Sequence, residues 1–290
     1  MRYYVLSDPH GYYTEMVEAL YNKGFFTDKS PRKLIICGDI LDRGSEALKV
    51  QTLILQMMES QEIILIRGNH EDLALEFLDH VQIYLGEKKY LPYIHHYTNG
   101  TVDTFLQLTG MNLSSAVSDI EGFEKEARLT PYIRKIIPAM EDYFETEHYI
   151  FVHGWIPCFT DNLSRPREFH YNPKWREASR VEWENARWYN GIACACSWNV
   201  KEASKTIVCG HYHSSYGHHR YGESKSEFGA GAVFSPFYAD GIIALDGCTA
   251  YSGKVNYPFE ISPPSERCCW VLLKPRKPLK IRQFIHAKAL

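Results

Sequence analysis

Five short apolar runs in this sequence each end in a loop that carries Asp, His or Asn. The loops read Asp8-Pro9-His10-Gly11, Gly38-Asp39, Arg67-Gly68-Asn69-His70, His153-Gly154 and Gly210-His211-Tyr212-His213. Taken singly, each has an ordinary explanation. Asp8 could cap the helix that follows it, Gly38-Asp39 could be a turn, Asn69-His70 a helix cap, and His153 a hydrogen-bonded core histidine. Taken together they offer Asp8, His10, Asp39, Asn69, His153, His211 and His213, which is two carboxylates, one amide and four imidazoles without a thiolate. Such donors suit borderline divalent ions such as Mn, Fe, Zn, Co or Ni, and suit Ca or soft metals poorly. Seven ligands are too many for one tetrahedral ion, whereas two ions ~3.5–4 Å apart and bridged by one carboxylate would use them all. Two dications facing two carboxylates leave a net positive centre that would attract a hydroxide and a phosphate.

The elements that must position these residues are legible in outline. Residues Arg2 to Ser7, Lys33 to Cys37, Glu62 to Ile66, Tyr149 to Val152 and Thr206 to Cys209 read as strands buried on both faces. Amphipathic helical stretches, Tyr13 to Lys23 and Ser45 to Met58, separate the first three. Strands alternating with helices imply βαβ units and a largely parallel sheet, in which function gathers at the carboxyl ends of strands. Residues 73–147 are long and helical in pattern; residues 155–204 are rich in Trp, Arg and Asn. Both read as insertions that cover or flank the site, with a packing role as the plainer alternative. His95-His96, inside the first, reads as surface. Gly241 to Ala244 and Lys254 to Asn256 read as a hairpin around Asp246-Gly247, and Val271 to Leu273 as a last strand. The basic end, Lys274 to Leu290, reads as a solvated tail.

Composition sets the outer limits. A 290-residue chain can bury a sizeable core, and 45% hydrophobic against 23% charged residues argues against disorder. A formal charge of −3 gives no electrostatic case for nucleic-acid or membrane binding. No apolar run reaches the ~18 residues of a membrane span, and the N-terminal run is too short for a signal peptide. A cytoplasmic protein is the expectation. The eight cysteines do not fit a disulfide framework in a chain of this size, and Cys37 and Cys209 read as small buried residues.

The five loops, with the longer forms Gly38-Asp39-Ile40-Leu41-Asp42-Arg43-Gly44 and Arg67-Gly68-Asn69-His70-Glu71, resemble in order and spacing the signature of the calcineurin-like metallophosphoesterases. The Asp-Arg-Gly and Arg-Gly-Asn-His-Glu forms resemble the serine/threonine protein phosphatase branch, and bacterial diadenosine tetraphosphatases share them. The resemblance implies an α/β fold: one domain over residues 1–290, built as a two-sheet β-sandwich flanked by helices, with helical cap insertions at 73–147 and 155–204.

It also implies roles. Asp8 and His10 would bind a first metal, Asp39 would bridge, and Asn69, His153 and His211 would bind a second. His213 would return to the first, as in the wider superfamily; the phosphatase branch generally lacks this histidine. Trp155 stands where that branch often has glycine and would narrow the cleft. His70 would protonate the leaving oxygen, Asp42 would hold the His70 ring, and Arg43 and Arg67 would clamp phosphate oxygens. Arg187 would be a third clamp. The implied function is hydrolysis of phosphomonoesters by hydroxide activated at two divalent ions (Mn, Fe or Zn), most like a serine/threonine protein phosphatase. The alternatives are a dinucleotide polyphosphate hydrolase and a non-catalytic metal-bound scaffold. The implied partner is a phosphorylated substrate, phosphoprotein or nucleotide-type, with no membrane or nucleic acid and an open oligomeric state.

Overall fold

The computed structural model describes residues 1–86, 95–162, 166–256 and 259–262. The expected strand at Val271 to Leu273, the basic tail, and Cys268-Cys269 lie outside the described residues. The N-terminal half runs β1 (Arg2–Leu6), α1 (Tyr13–Asn22), β2 (Arg32–Cys37), α2 (Ala47–Glu59), β3 (Ile63–Ile66) and α3 (Asn69–Asp79). A helical stretch follows: α4 (Val81–Gly86), α5 (His95–Thr98), α6 (Thr101–Thr109), α7 (Leu113–Ser118) and α8 (Ile120–Leu129). The chain then forms β4 (Phe144–Glu145), β5 (Tyr149–Phe151), β6 (Phe159–Thr160), β7 (Phe169–His170), α9 (Arg180–Ala186), α10 (Gly191–Cys196), β8 (Thr206–Cys209) and α11 (Ser214–Arg220). It continues through β9 (Phe237–Ala239), β10 (Ile242–Ala244), α12 (Thr249–Ser252) and β11 (Phe259–Ile261).

Two main sheets result. The first has the order β11-β1-β2-β3 and the second β4-β5-β8-β10-β9. Their inner strands are parallel, as the βαβ rhythm requires, while β11, β4 and β9 pair antiparallel at the edges. Strand alternation decides which residue faces which layer. Val5, Ile35, Cys37 and Ile66 of the first sheet pack against Phe151, Val208 and Ile243 of the second. Tyr4, Leu6, Leu34, Ile36 and Leu65 face the other way, onto Met16, Val50, Phe77 and Phe105 of the helices. On the far side of the second sheet, Ile150, Ile207 and Ile242 pack on Trp155, Trp175, Trp183 and Ile192. The architecture is therefore mixed α/β, two sheets with helices outside both. Cys37 and Cys209 are buried free thiols, as expected.

Some sequence expectations fail here. The β10 hairpin partner is β9, across Asp240-Gly241, and not Lys254–Asn256, which carries no strand. Asp246 is thus not a hairpin turn but a buried residue just past the end of β10. The short strands β4, β6, β7, β9 and β11 have two or three residues each, too few to leave a periodic signal. His96 is fully buried rather than on the surface, packed edge-on or tilted against Phe77, Tyr84 and His95. Among the described residues no helix is long and apolar enough to cross a membrane.

Candidate metal centre and its surroundings

Every parallel strand delivers its chemistry at its carboxyl end. Asp8 and His10 follow β1, Asp39 follows β2, Asn69 and His70 start α3 after β3, His153 follows β5, and His211 follows β8. The two sheets are stitched together at these ends. His153, from the second sheet, donates its Nδ1–H to the Cys37 carbonyl of the first at 2.7 Å. The His211 amide donates to Asp8 Oδ1 at 3.1 Å. The loops are tight: Asp8, His10, Asp39, Asp42, Arg43 and His211 all have φ between 49° and 74°. That region costs a residue with a Cβ about 1–2 kcal/mol and is tolerated best by Asp, Asn and His. Gly68 and Gly210 permit the close approach. A Cβ on Gly68 would lie 2.2 Å from Asp39 Oδ1, and one on Gly210 would lie 2.1 Å from Asp8 Oδ2.

Asp39 sits at the middle. Its Oδ1 lies 3.2 Å from His153 Nε2 and accepts the His70 amide at 3.0 Å. Its Oδ2 lies 3.7 Å from His10 Nε2 and 3.8 Å from His70 Nε2. Because His153 spends its Nδ1–H on a carbonyl, its Nε2 carries a lone pair when the ring is neutral. That lone pair meets Asn69 Oδ1 at 2.8 Å as well as Asp39 Oδ1. Likewise the His10 Nδ1–H goes to the Leu41 carbonyl at 3.1 Å, so its Nε2 lone pair turns inward. Two groups of donor atoms form in this way: His10, Asp39 and His70 in one, Asp39, His153 and His211 in the other. In the first group the Arg43 guanidinium meets His10 Nε2 and His70 Nε2, and the set of imidazole and carboxylate donors as a whole fits divalent ions of the borderline class.

The electrostatics point the same way. Burial pushes the Asp8 carboxyl well up, and Asp246 and Asp39 beside it push further. Asp246 is itself raised to about 6 by burial. Burial lowers His10, His153 and His211, the last to about 3, which keeps these rings neutral and able to bind metal. Asp39 is also buried, but His153, His70, His10 and His211 around it hold it well below the usual carboxylate range. Burial opposes charge on His70, yet Asp39 and Asp42 overcome it and raise its pKa.

The neighbours of His70 are well defined. Its Nδ1 lies 2.8 Å from Asp42 Oδ2. Asp42 also accepts Thr101 Oγ1–H and Thr104 Oγ1–H, each at 2.8 Å. Arg43 places Nη1 at 2.9 Å from His10 Nε2 and Nη2 at 3.1 Å from His70 Nε2. Among the described ion pairs none joins Asp42 to Arg43.

Other expected residues are placed differently. Arg187 is buried, 5% exposed, with Nη1 at 2.7 Å from Asp72 Oδ2 and Nη2 bound to Asp142. A guanidinium held between two carboxylates braces α9 against α3 and is not a free clamp, which corrects the expectation. Arg67 also pairs with Asp72, at 2.8 Å, but remains partly exposed. His213 turns away from both donor groups and pairs with Glu227 at 2.6 Å. Trp155 is in the core, 1% exposed, rather than narrowing the cleft. Trp175 and Trp183 are core too, while Trp188 is half exposed, edge-on to His211 with ring centroids 5.9 Å apart.

Four contributors escaped the sequence reading. Glu71 is fully buried and accepts the amides of Gly68, Asp39 and Ile40 at 2.7, 3.1 and 3.0 Å, so it holds two of the loops together. Its place in Arg-Gly-Asn-His-Glu was the available signal. Thr101 and Thr104 lie about sixty positions from Asp42 and had none. Asp246 had none that distinguished it from a turn.

Residues 1–235 match the family described as calcineurin-like phosphoesterase. The asymmetrical bis(5'-nucleosyl)-tetraphosphatase PrpE of Halalkalibacterium halodurans is 30% identical over 76 residues, covering 24% of this chain and 31% of that one. The symmetrical bis(5'-nucleosyl)-tetraphosphatase of Buchnera aphidicola is 37% identical over 89 residues, covering 31% of this chain and 29% of that one. The aligned stretch thus spans under a third of either relative's length. A protein serine/threonine phosphatase structure from Saccharomyces cerevisiae superposes with a TM-score of 0.40 at 14% identity, covering 84% of this chain and 66% of that one.

Proposed function

Since this chain belongs to the calcineurin-like phosphoesterase family, we propose that it is a metal-dependent phosphoesterase acting on phosphomonoesters, with a polypeptide substrate as the first reading. Asp8, His10, Asp39, Asn69, His153 and His211 hold two divalent cations. The observation that carries the reading is the position of Asp39, with one carboxylate oxygen toward each donor group. Bound there, two dications supply Lewis-acid charge for a phosphoryl oxygen and bring the pKa of water toward ~7.

The chain's own residues do the rest. His70 presents Nε2 to the centre while Asp42 holds Nδ1, so the ring can deliver a proton to the leaving oxygen. The Asp42 carboxylate favours the protonated ring. Thr101 and Thr104 fix both oxygens of Asp42 and so fix the ring. Arg43 is exposed, lies beside His10 and His70, and offers a planar fork to the phosphoryl group. Arg67 lines the neighbouring cleft, its charge partly spent on Asp72. An intact His70–Asp42 pair argues against a non-catalytic scaffold.

Substrate preference rests on the neighbouring cleft of about 630 Å³. Its walls carry Asp72, Glu76, Asp79 and Glu184 against Arg67 and Arg180, with Trp188 at one side. Asp72 is paired with Arg67 and Arg187, Asp79 with Arg128 and Glu184 with Arg180, so the wall is a mosaic of ion pairs beside an indole, which suits a chain with polar, charged and apolar side chains. With Arg187 engaged internally, Arg43 is the guanidinium best placed for a single phosphoryl group. The second reading, hydrolysis of a dinucleotide polyphosphate, is supported by the two tetraphosphatase relatives. The test is a panel with Mn²⁺: a phosphopeptide, diadenosine tetraphosphate and an aryl phosphate. The first reading expects the highest kcat/KM on the phosphopeptide. A higher value on diadenosine tetraphosphate would transfer the assignment, and no turnover of any of the three would remove the catalytic reading.

A further inference from the structure

We propose a third cation site, separate from the strand-end centre: Glu76 on α3 together with His95 and His96 on α5 holds a divalent ion of the zinc class. Glu76 Oε2 lies 3.1 Å from His96 Nε2 and 3.6 Å from His95 Nε2. The three donor atoms all fall within 4.8 Å of one another. Ligands ~2.1 Å from a tetrahedral ion lie ~3.4 Å from each other, so the two measured separations bracket that spacing.

The second observation is the state of His96. Its side chain is fully buried, yet neither Nδ1 nor Nε2 has a hydrogen-bond partner. A buried imidazole in a native core normally has at least one. Glu76 Oε2 is near enough but lacks the angle of a hydrogen bond. A charged imidazole paired with Glu76 would be the plain alternative. Burial and the adjacent His95 ring, with centroids 4.0 Å apart, act against it and lower His96 to about 4. Either tautomer of the neutral ring offers a lone pair to a metal. The carboxylate is already aimed: Glu76 Oε1 accepts the Tyr84 hydroxyl, which leaves Oε2 for the histidines. Such outer hydrogen bonds commonly orient a metal's ligands.

The site has a structural consequence. Asn69 and His70 begin the same helix that carries Glu76, and α5 leads through Gly100 into α6, whose Thr101 and Thr104 hold Asp42. An ion joining α3 to α5 ties both halves of the His70–Asp42 pair to one point.

The test counts metal and does not depend on turnover. Metal-stripped full-length chain is dialysed against Co²⁺, and cobalt per chain is measured by elemental analysis for wild type, Glu76→Gln and His95→Ala. Both positions are partly exposed, at 42% and 37%, so neither variant empties the core. Each variant should bind one cobalt fewer than wild type, and the visible absorption of tetrahedral cobalt should fall with it. The same single loss should appear when Glu76→Gln is added to Asp39→Asn, which disables the strand-end centre. Because the readout is a difference, it holds whether the strand-end centre takes two ions, one or none. Equal cobalt counts in wild type and both variants would overturn the third site.

Discussion

At the scale of single residues, proton delivery is the sharpest claim. His70 is held from one side by Asp42 and faces Asp39 and Arg43 on the other. His70→Asn should leave metal content unchanged and lower kcat by ~10²–10⁴-fold, the usual worth of a positioned acid. The loss should shrink on an aryl phosphate, whose leaving group needs little protonation. Single-substrate kinetics on a good and a poor leaving group check this, and equal losses on both would take the acid role from His70. Asp42-Arg43 and His70 were readable in the sequence because each lies within a compact local motif, Gly38 to Gly44 and Arg67 to Glu71. Thr101 and Thr104 were not, because nothing local marks a threonine that will meet a carboxylate sixty positions away.

At the scale of elements, two ion-pair clusters decide how the second half of the chain is held. Arg187 leaves α9 and is clasped by Asp72 of α3 and by Asp142. Removing a buried guanidinium leaves carboxylates without a partner. Arg187→Ala should therefore cost about 2–3 kcal/mol, below the figure for fully buried pairs because Asp142 is partly exposed. Urea denaturation measures it; unchanged stability together with a raised KM would restore Arg187 to substrate binding. The other cluster fixes β4. Glu145 receives Arg176 through Nε at 2.9 Å and Nη2 at 2.7 Å, and Lys205 at 2.7 Å. The Arg176 hydrogen bonds, against some burial, bring Glu145 down to about 2. A depressed carboxyl stabilises the fold above its unfolded pKa of ~4.3, and that contribution is lost as pH falls toward 2. Glu145→Gln should thus lower stability at pH 7 by about 1 kcal/mol and flatten the acid limb of Tm between pH 5 and ~2. Matching acid limbs in the two proteins would show that Glu145 does not contribute.

At the scale of the whole molecule, the two sheets meet where the chain gathers its charge. Asp8, Asp39 and Asp246 are buried together, and Asp8 is raised first by burial and then by the two neighbouring carboxylates. Cations that bind only the folded chain relieve this and stabilise it by mass action. Mn²⁺ at about 1,000 times its Kd should add about 4 kcal/mol, and a chelator should remove it. Chemical denaturation with and without chelator gives the figure, and identical midpoints would contradict a centre that joins the sheets.

What the sequence by itself determined is the order of strand, loop and helix and the identity of the groups at each strand end. Those signals are local: short continuous apolar runs, glycines at tight turns, and Asp, His or Asn immediately after them. Only the tertiary structure decided how the groups are shared. Asp39 divides its oxygens between two donor groups because β2 lies between β1 and β3, with the second sheet's His153 reaching across to Cys37. Arg187 looked like a clamp and is a brace, because its partners come from α3 and from Asp142 just before β4. His96 looked like surface and is core, because α5 turns it inward onto Phe77 and Tyr84. In each case the residue type was plain from the start, and what it does was settled by partners that lie far along the chain and come near only on folding.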